Sequence, residues 1–249
     1  MFDLKNRIDF YLRNLIKLSR TDYSESNEPK DGISFSSDEK NMEIKLLERY
    51  NFHSYKHSST VVNYCQNLYT LYFLDKYFNI PHKEHLSVLD IGSKNWFYAP
   101  AQYHYFKSKC NTLVMDGVEL DAYRLYSNFY SRYEVAKYYI NGLEGANYIA
   151  GNLTDMQKEY DYIIWILPFV TKYPLRRWGL PDKYFQPEVL FKHALSLLSQ
   201  NGKMLIINQG EEEFEIQKNL AEGHISYSTE LESPFYNYLN KRFLSIIEV

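Results

Sequence analysis

The sequence predicts an α/β protein in which a doubly wound, mostly parallel sheet follows a helical N-terminal block. From Leu86 onward, short apolar runs alternate with segments of helical period, the pattern of strand–helix–strand units. The run YDYIIWILPFV is apolar almost throughout, as expected of a strand covered on both faces. The first 85 residues show helical period instead. We therefore divide the chain into a helical extension, residues 1–85, and a sheet domain, residues 86–249.

The helical block contains three predicted helices. Residues 4–18 form an amphipathic basic helix, because apolar side chains recur there at helical spacing: Leu4, Ile8, Tyr11, Leu15 and Leu18. Such a helix lies either on an anionic membrane or on the protein's own core, and we favour the core. The polar segment from Thr21 to Lys40 predicts a mobile loop. Two more helices are predicted, one after Asp38 and one over residues 59–78.

Seven strands are predicted in the second part of the chain. Their sequences are LSVLDIG, NTLVMDGVELD, ANYIAGN, YDYIIWILPFV, KMLIIN, HISYSTE and RFLSIIEV. Between the strands, helical period indicates four helices: residues 99–109, 123–139 and 187–198, and the segment EEEFEIQKNLAEG. Asn201-Gly202 is expected to cap the third of these helices. Asp116-Gly117 is also a hairpin signal. The arms on either side are short, so we favour one continuous second strand.

The overall charge does not indicate a nucleic-acid-binding protein. The chain of 249 residues carries 28 basic and 31 acidic side chains, a net charge of -3. No apolar run approaches the ~20 residues of a membrane span, and the charged start MFDLKNRIDF does not resemble a signal peptide. Cys65 and Cys110 form no CxxC pair, so we predict a cytoplasmic protein with free thiols. The 25 Tyr and 15 Phe fit ordinary packing or an aromatic-lined pocket, and we favour packing.

Ligands of such a sheet bind outside the carboxyl ends of its strands. Here those ends carry polar or turn-forming residues: Asp90-Ile91-Gly92, Glu119, Asn152-Leu153, Leu167-Pro168 and Asn208. A carboxylate at the end of the second strand suits both hydroxyls of a ribose. The loop after the first strand has one glycine followed by Ser93-Lys94-Asn95-Trp96, so it is poorly built to surround a pyrophosphate with backbone amides. The sequence favours a ligand with a ribose and an adenine but no phosphate.

At these strand ends the chain resembles the class I S-adenosylmethionine-dependent methyltransferases. VLDIGS looks like their first motif, GVELD like their acidic second-strand motif and AGNLTD like the turn near the adenine; YDYIIWILP and LSLLSQNGKMLII follow in the expected order. The resemblance covers residues 86–249 and implies a seven-stranded Rossmann-like sheet. It departs from the family where Lys94 and Trp96 replace later glycines and where Asn152 replaces an acidic residue.

The resemblance implies S-adenosyl-L-methionine as cofactor and methyl transfer as the reaction. It assigns Asp90 and Gly92 to the methionine end of the cofactor, Glu119 to the ribose and Asn152 to the adenine. The remaining residues of the predicted cofactor-binding set are Ser93, Leu120, Leu153 and Leu167. No catalytic base and no metal site is predicted.

The acceptor is predicted to be a small molecule, and residues 1–85 to act as a lid or an acceptor-selecting element. Two alternatives stay open: a non-catalytic nucleotide-binding or interaction protein, and an NAD(P)-dependent oxidoreductase.

Overall fold

The computed structural model describes residues 2–248 and contains one mixed sheet of seven strands. The strands are β1 (Lys83–Ile91), β2 (Cys110–Glu119), β3 (Ala146–Ala150), β4 (Tyr160–Ile166), β5 (Leu198–Gln209), β6 (Ile225–Glu230) and β7 (Arg242–Glu248). Their order is β3-β2-β1-β4-β5-β7-β6, and only β7 is antiparallel to its neighbours. The predicted fold class, a mostly parallel, doubly wound sheet behind N-terminal helices, is confirmed.

Helices cover both faces of this sheet. They are α1 (Phe2–Ile16), α2 (Ser37–Arg49), α3 (His53–Lys56), α4 (Val61–Tyr77), α5 (Ala99–Lys107), α6 (Arg132–Tyr139), α7 (Lys172–Arg177), α8 (Pro187–Ser196) and α9 (Gly210–Leu220). One face packs against α4 and α5, together with Leu46 and Leu47 of α2. The other face packs against α8, through Phe191 and Ala194, and against the end of α9. Helix α4 is therefore part of the main core, since ten of its residues are buried.

Asp116-Gly117 lies inside β2, so the continuous strand is confirmed. Glycine is required there because a Cβ on Gly117 would lie 2.7 Å from the Trp96 ring and 2.8 Å from Ser93 Oγ. Asn201-Gly202 also lies inside a strand, where the pairing of β4 with β5 is irregular, and Asn201 has a φ of 62°. The expected helix cap at this position is wrong, because α8 already ends at Ser196.

The helix predicted over residues 123–139 is too long. Residues 120–130 form a loop, and α6 begins at Arg132. Ser131 caps this helix: its side chain accepts from the backbone N–H of Glu134, whose carboxylate accepts from the backbone N–H of Ser131. This reciprocal capping box fixes the N-terminal end of the helix, although the apolar residues before it also recur at helical spacing.

The front of the chain differs from expectation at α1. Residues 21–36 form a loop, as predicted, and their mobility stays a prediction; in the loop Glu25 accepts from Asn63 and Tyr139, and Glu28 accepts from the backbone N–H of Val61. Helix α1 does not bury its apolar stripe: Leu4, Ile8, Tyr11 and Leu15 are all exposed. The helix packs against the protein through its polar side, because side chains there donate hydrogen bonds to the loop after β4.

The two cysteines, Cys65 and Cys110, are free and buried. Within residues 2–248 no helix is long and apolar enough to cross a bilayer.

Candidate functional site

A cavity of about 1090 Å³ opens at the carboxyl ends of the parallel strands. It lies where strand order reverses, between β1 and β4, which is the ligand position of open α/β sheets. One half is lined by the ends of β1, β2 and β3; the other by α4, the end of β5 and the start of β7. Residues 168–186, which include α7, line the cavity between these halves and are called the cover segment below.

The loop after β1 has three left-handed residues, of which only one is a glycine. Gly92, Lys94 and Trp96 all have left-handed φ values, of 70°, 57° and 45°. That conformation costs about 1–2 kcal/mol at each position that carries a Cβ. A Cβ built on Gly92 would meet no atom within 4 Å, so the loop presents open space to the cavity at this point. The departure from the family pattern thus puts side chains at two positions whose φ favours glycine.

The Trp96 side chain turns away from the cavity into the core, where it is fully buried. Its Nε1–H donates to Gln102 Oε1 at 2.8 Å, and Gln102 Nε2 donates to Asp90 at 2.6 Å. The ring occupies the space over Gly117 where a side chain of β2 would otherwise stand. A bulky residue is tolerated in this loop because β2 has a glycine opposite it.

Two residues of the predicted cofactor set, Asp90 and Ser93, do not line the cavity. Both are fully buried. The Asp90 carboxylate accepts from Tyr98 at 3.0 Å as well as from Gln102, and burial raises the pKa of this carboxyl to about 7. The Ser93 hydroxyl donates toward the backbone carbonyls of Asp90 and Val118. These contacts fix the loop beneath the cavity wall, and a direct contact of either residue with cofactor stays a prediction.

Glu119 and Leu120 line the cavity at the end of β2. The Glu119 carboxylate is held by two backbone amides: Oε2 accepts from Lys94 at 2.8 Å and Oε1 from Asp121 at 2.7 Å. Arg132 Nη1 lies 3.4 Å from Oε1. A carboxylate positioned in this way keeps lone pairs for further donors and needs no rearrangement to accept from them.

The other predicted cofactor residues also line the cavity. Asn152 follows β3, and its side-chain oxygen accepts from the backbone N–H of Thr154 at 3.4 Å, which orients the turn. Leu153 lies in the same turn, and Leu167, with a φ of 60°, follows β4. The structure therefore brings six of the eight predicted residues to one cavity wall: Gly92, Glu119, Leu120, Asn152, Leu153 and Leu167.

Sequence reasoning missed a cationic and aromatic wall beside Glu119. Lys94 Nζ lies 5.3 Å and the Arg132 guanidinium 4.8 Å from the centre of the Trp178 ring. Arg124 donates to the backbone carbonyl of Trp178, which ties the cover segment to the loop after β2. Burial, followed by the charge of Arg132, lowers the pKa of Lys94. Nothing in the sequence placed Arg132 beside Trp178, because the two residues are far apart along the chain.

The second half of the cavity is aromatic and is built largely from α4. Gln66, Tyr69, Thr70 and Phe73 recur on one face of that helix and line the cavity. Across from them lie Tyr238 and Arg242, and Ile207 and Gln209 come from the end of β5. The spacing of three or four residues on α4 could have indicated that these side chains share one face of the helix. The sequence did not indicate which face of α4 packs against the sheet. Among the described residues no group of three or more His, Cys, Asp or Glu side chains is placed to hold a metal ion.

No protein-family model and no curated protein matches this sequence. Among solved structures, the chain is similar to an S-adenosylmethionine-dependent methyltransferase from Aquifex aeolicus, at 15% identity over 73% of this chain and 90% of that one, with a TM-score of 0.50. It also matches a protein from Listeria monocytogenes described as a class I S-adenosylmethionine-dependent methyltransferase (15% identity, 84% and 67% coverage, TM-score 0.49). A tRNA m1G37 methyltransferase from M. jannaschii matches at 11% identity, with 72% and 48% coverage and a TM-score of 0.46.

The likeness to the Aquifex aeolicus structure, together with the strand order, defines the class of fold. The chain has the Rossmann-like fold of the class I S-adenosylmethionine-dependent methyltransferases, as the sequence motifs predicted.

Proposed function

We propose that this protein is an S-adenosylmethionine-dependent methyltransferase that acts on a small-molecule acceptor. The observation that carries the proposal is the joint presence, at one cavity wall, of a glycine-loop backbone path and a pre-positioned carboxylate, Glu119. Gly92 leaves room for a ligand to approach the loop. These features fit a ribose and a methionine tail, and the loop side chains do not suit a pyrophosphate.

Within this proposal each half of the cavity has its own role. Glu119 accepts hydrogen bonds from the ribose hydroxyls, Asn152 faces the adenine and Gly92 the methionine end. The bound cofactor supplies an electrophilic methyl group on a sulfonium. The aromatic half then holds the acceptor, and the cover segment excludes water between them.

The size of the cavity supports a small acceptor. Its volume of about 1090 Å³ slightly exceeds the ~300–1,000 Å³ of a typical single-ligand site. The walls therefore leave room for a second small molecule beside a cofactor. The chain's net charge of -3 adds no electrostatic support for a nucleic-acid acceptor.

Binding of S-adenosylhomocysteine tests the proposal directly. Calorimetry should show that the parent protein binds it and that Glu119→Ala weakens binding by ~1.5–3 kcal/mol, because the ribose loses a charged acceptor. NADH should bind far more weakly, since its pyrophosphate would have to approach a loop that carries Lys94 and Trp96 in place of glycines. NADPH should bind more weakly still, because Glu119 also repels its ribose 2′-phosphate. Asp155→Ala, in the same region but outside the cavity lining, is the matched control and should bind like the parent.

Equal affinity of parent and Glu119→Ala would remove Glu119 from the site. NADH binding as tight as that of S-adenosylhomocysteine would favour the oxidoreductase alternative, and S-adenosylhomocysteine binding without turnover on any acceptor would favour the non-catalytic one.

A further inference from the structure

The aromatic half of the cavity contains two buried polar groups without a hydrogen-bond partner among the described residues. They are the hydroxyl of Tyr69 and Nη1 of Arg242. Tyr238 lies between them: its ring centre is 5.1 Å from that of Tyr69, and the Arg242 guanidinium lies 4.6 Å from its centre. All three side chains line the same cavity. Buried polar groups are normally hydrogen-bonded, so two orphans on one wall point to a missing partner.

Arg242 reaches this wall because β7 runs antiparallel to β5. Its first residue, Arg242, pairs with Gln209 at the end of β5, at the same edge as the ends of the parallel strands. No carboxylate of the described residues lies within 4.0 Å of its guanidinium, although Glu213 acts on it electrostatically from farther away; burial lowers the pKa of Arg242. A partly desolvated cation without a counter-ion is unfavourable in the free protein and favours an incoming anion.

We propose that the acceptor is an aromatic acid whose anionic group binds Arg242 and whose ring packs against Tyr69, Phe73 and Tyr238. This assignment rests on the proposed function and names the substrate class of that site. A planar guanidinium presents two parallel donors to a carboxylate. The Tyr69 hydroxyl supplies a third donor, and the tyrosine rings supply flat apolar surface.

Glu213 lies on the same cavity wall and provides a control. Its Oε2 accepts from the backbone N–H of Gln209 at 3.3 Å, and burial raises the pKa of its carboxyl. Its position is not within 4 Å of the Arg242 nitrogens, so the two do not neutralise each other as an ion pair. Glu213→Gln therefore alters charge nearby without touching the proposed anion contact.

The test uses matched ligands on the full chain saturated with S-adenosylhomocysteine. The probes are phenylacetate, 4-hydroxyphenylacetate and indole-3-acetate, each paired with its amide, and binding is followed by ligand-observed NMR. The carboxylates should bind at least about tenfold more tightly than the amides. Arg242→Gln should abolish that preference, Arg242→Lys should restore part of it, and Glu213→Gln should retain it.

The outcomes separate this proposal from the proposed function. Suppose that S-adenosylhomocysteine binds. The acceptor class is then wrong if no probe binds, if the protein binds the carboxylates no more tightly than the amides, or if the preference for carboxylates survives Arg242→Gln. If S-adenosylhomocysteine itself does not bind the parent, the methyltransferase proposal fails first.

A second, independent observation concerns the outer surface of α1. Six large apolar side chains of this helix are exposed, at the spacing of one helical face: Leu4, Ile8, Tyr11, Leu12, Leu15 and Ile16. Leu12 and Ile16 share a groove of about 330 Å³ with Leu125 of the loop after β2. Phe129, at the tip of that loop, is 72% exposed. These eight residues, called the α1 patch, comprise more than half of the exposed large apolar side chains described: 8 of 14.

The charges around the α1 patch are basic although the chain as a whole is acidic. Lys5, Arg7 and Lys17 are exposed on α1 or directly after it, and Arg20 is partly exposed. The acidic residues of the helix are engaged: Asp3 accepts from the backbone N–H of Asp182, and Asp9 pairs with Lys5. Lys5 is paired with Asp9 and Arg20 with Glu134, which leaves Arg7 and Lys17 as the exposed cations without an ion pair among the described residues. An apolar stripe beside two such cations, in a chain of net charge -3, complements an anionic bilayer surface.

We infer that the α1 patch binds the surface of an anionic membrane, with α1 lying in the interface plane. Its long basic side chains keep their charges at the headgroups while the apolar side chains enter the acyl boundary. Co-sedimentation of the full chain with vesicles should show binding to phosphatidylcholine mixed with phosphatidylserine and little binding to phosphatidylcholine alone. Added salt should weaken it.

The variants are matched by exposure. Ile8→Glu with Leu15→Glu should reduce vesicle binding by at least about tenfold, whereas Ile44→Glu with Val189→Glu, equally exposed but outside the α1 patch, should leave it unchanged. Equal binding of both double variants, or no binding of the parent, overturns the proposal. Concentration-dependent dimerisation lost in Ile8→Glu with Leu15→Glu would assign the patch to a second copy of this chain instead.

Discussion

The left-handed backbone at Lys94 and Trp96 separates two properties for which glycine is used in such loops. One is access to positive φ, and the other is the absence of a side chain. Lys94 and Trp96 adopt positive φ although neither is glycine. Their side chains leave the loop clear because Trp96 turns into the core and Lys94 lies along the Trp178 ring. The loop therefore carries backbone strain that glycine would relieve.

Substitution of Lys94 measures that strain. Lys94→Gly should be more stable than Lys94→Ala by ~1 kcal/mol, because relief of the left-handed penalty exceeds the extra chain entropy of glycine. Urea unfolding of the two variants checks this difference. At Lys137, exposed inside α6, the order should reverse, with glycine about 1 kcal/mol less stable than alanine. If alanine is more stable than glycine at both positions, Lys94 is unstrained.

The buried carboxyl of Asp90 predicts a pH dependence of stability. Burial raises its folded-state pKa to about 7, above its ordinary value of 3.8. Its contribution is fully present below that ordinary value and is lost as pH rises through about 7. Each pH unit between the two pKa values is worth up to about 1.4 kcal/mol.

Asp90→Asn removes this titration while keeping an oxygen that accepts from Gln102. From about pH 5 to about pH 8 the free energy of unfolding should fall more for the parent than for the variant. Parallel curves would show that Asp90 does not titrate in this range. Calorimetry with S-adenosylhomocysteine on the same variant tells whether the carboxylate also contacts cofactor.

At the scale of elements, α1 and the cover segment are joined by polar contacts. Asn6 Nδ2 donates to the backbone carbonyls of Arg176 and Leu180, at 3.1 and 3.2 Å, and Arg13 donates to the carbonyl of Gly179 and to Asp121. The lid role of the helical front stays a prediction. Helix α1 contacts the cover segment, whereas the segment from Thr21 to Lys40 packs elsewhere, near α4 and α6.

Asn6→Ala should loosen the cover segment. Hydrogen exchange should speed up at the amides of residues 175–182, because the cover segment loses both hydrogen bonds to Asn6, one of them to the buried carbonyl of Leu180. Asn14→Ala is the control, since Asn14 donates only to Phe10 within α1, and it should leave exchange of the cover segment unchanged. Unaltered exchange in Asn6→Ala would mean that the cover segment is held without α1.

Elements with a strong local signal were predictable, and those decided by tertiary partners were not. The strands follow from their apolar runs, and Glu119 and Asn152 follow from standing where strands end. The start of α6 was missed although Ser131 and Glu134 carry the capping pattern, because helical period extends before them. Arg242 was missed because only the antiparallel pairing of β7 brings it to the ligand edge.

At the scale of the whole molecule, α4 makes the helical front and the sheet one cooperative core. Leu68, Leu71 and Leu74 are fully buried in the same cluster as the β1 residues Leu86 and Val88. The division into residues 1–85 and 86–249 stays a prediction about organisation. Packing of this kind favours joint unfolding of the two parts.

Leu68→Ala should lower the free energy of unfolding of the entire chain by about 2–5 kcal/mol, the effect of a core cavity. Val62→Ala on the same helix, where Val62 is 53% exposed, should change it by less than about 0.5 kcal/mol. Far-ultraviolet circular dichroism and tryptophan fluorescence should report one shared transition in urea. Two separated transitions would support independent units.

The reversed direction of β7 has a consequence for how the two halves of the cavity are encoded in the chain. Apart from Leu167, which follows β4, the cavity residues predicted to bind the cofactor lie between β1 and the turn after β3, whereas Tyr238 and Arg242 come from the stretch just before and at the start of the last strand. Substitutions in residues 231–242 would therefore change the proposed acceptor wall and leave the loop after β1 unchanged. A change of acceptor would then need substitutions in one short, late segment of the gene only, and the predicted cofactor residues could stay the same.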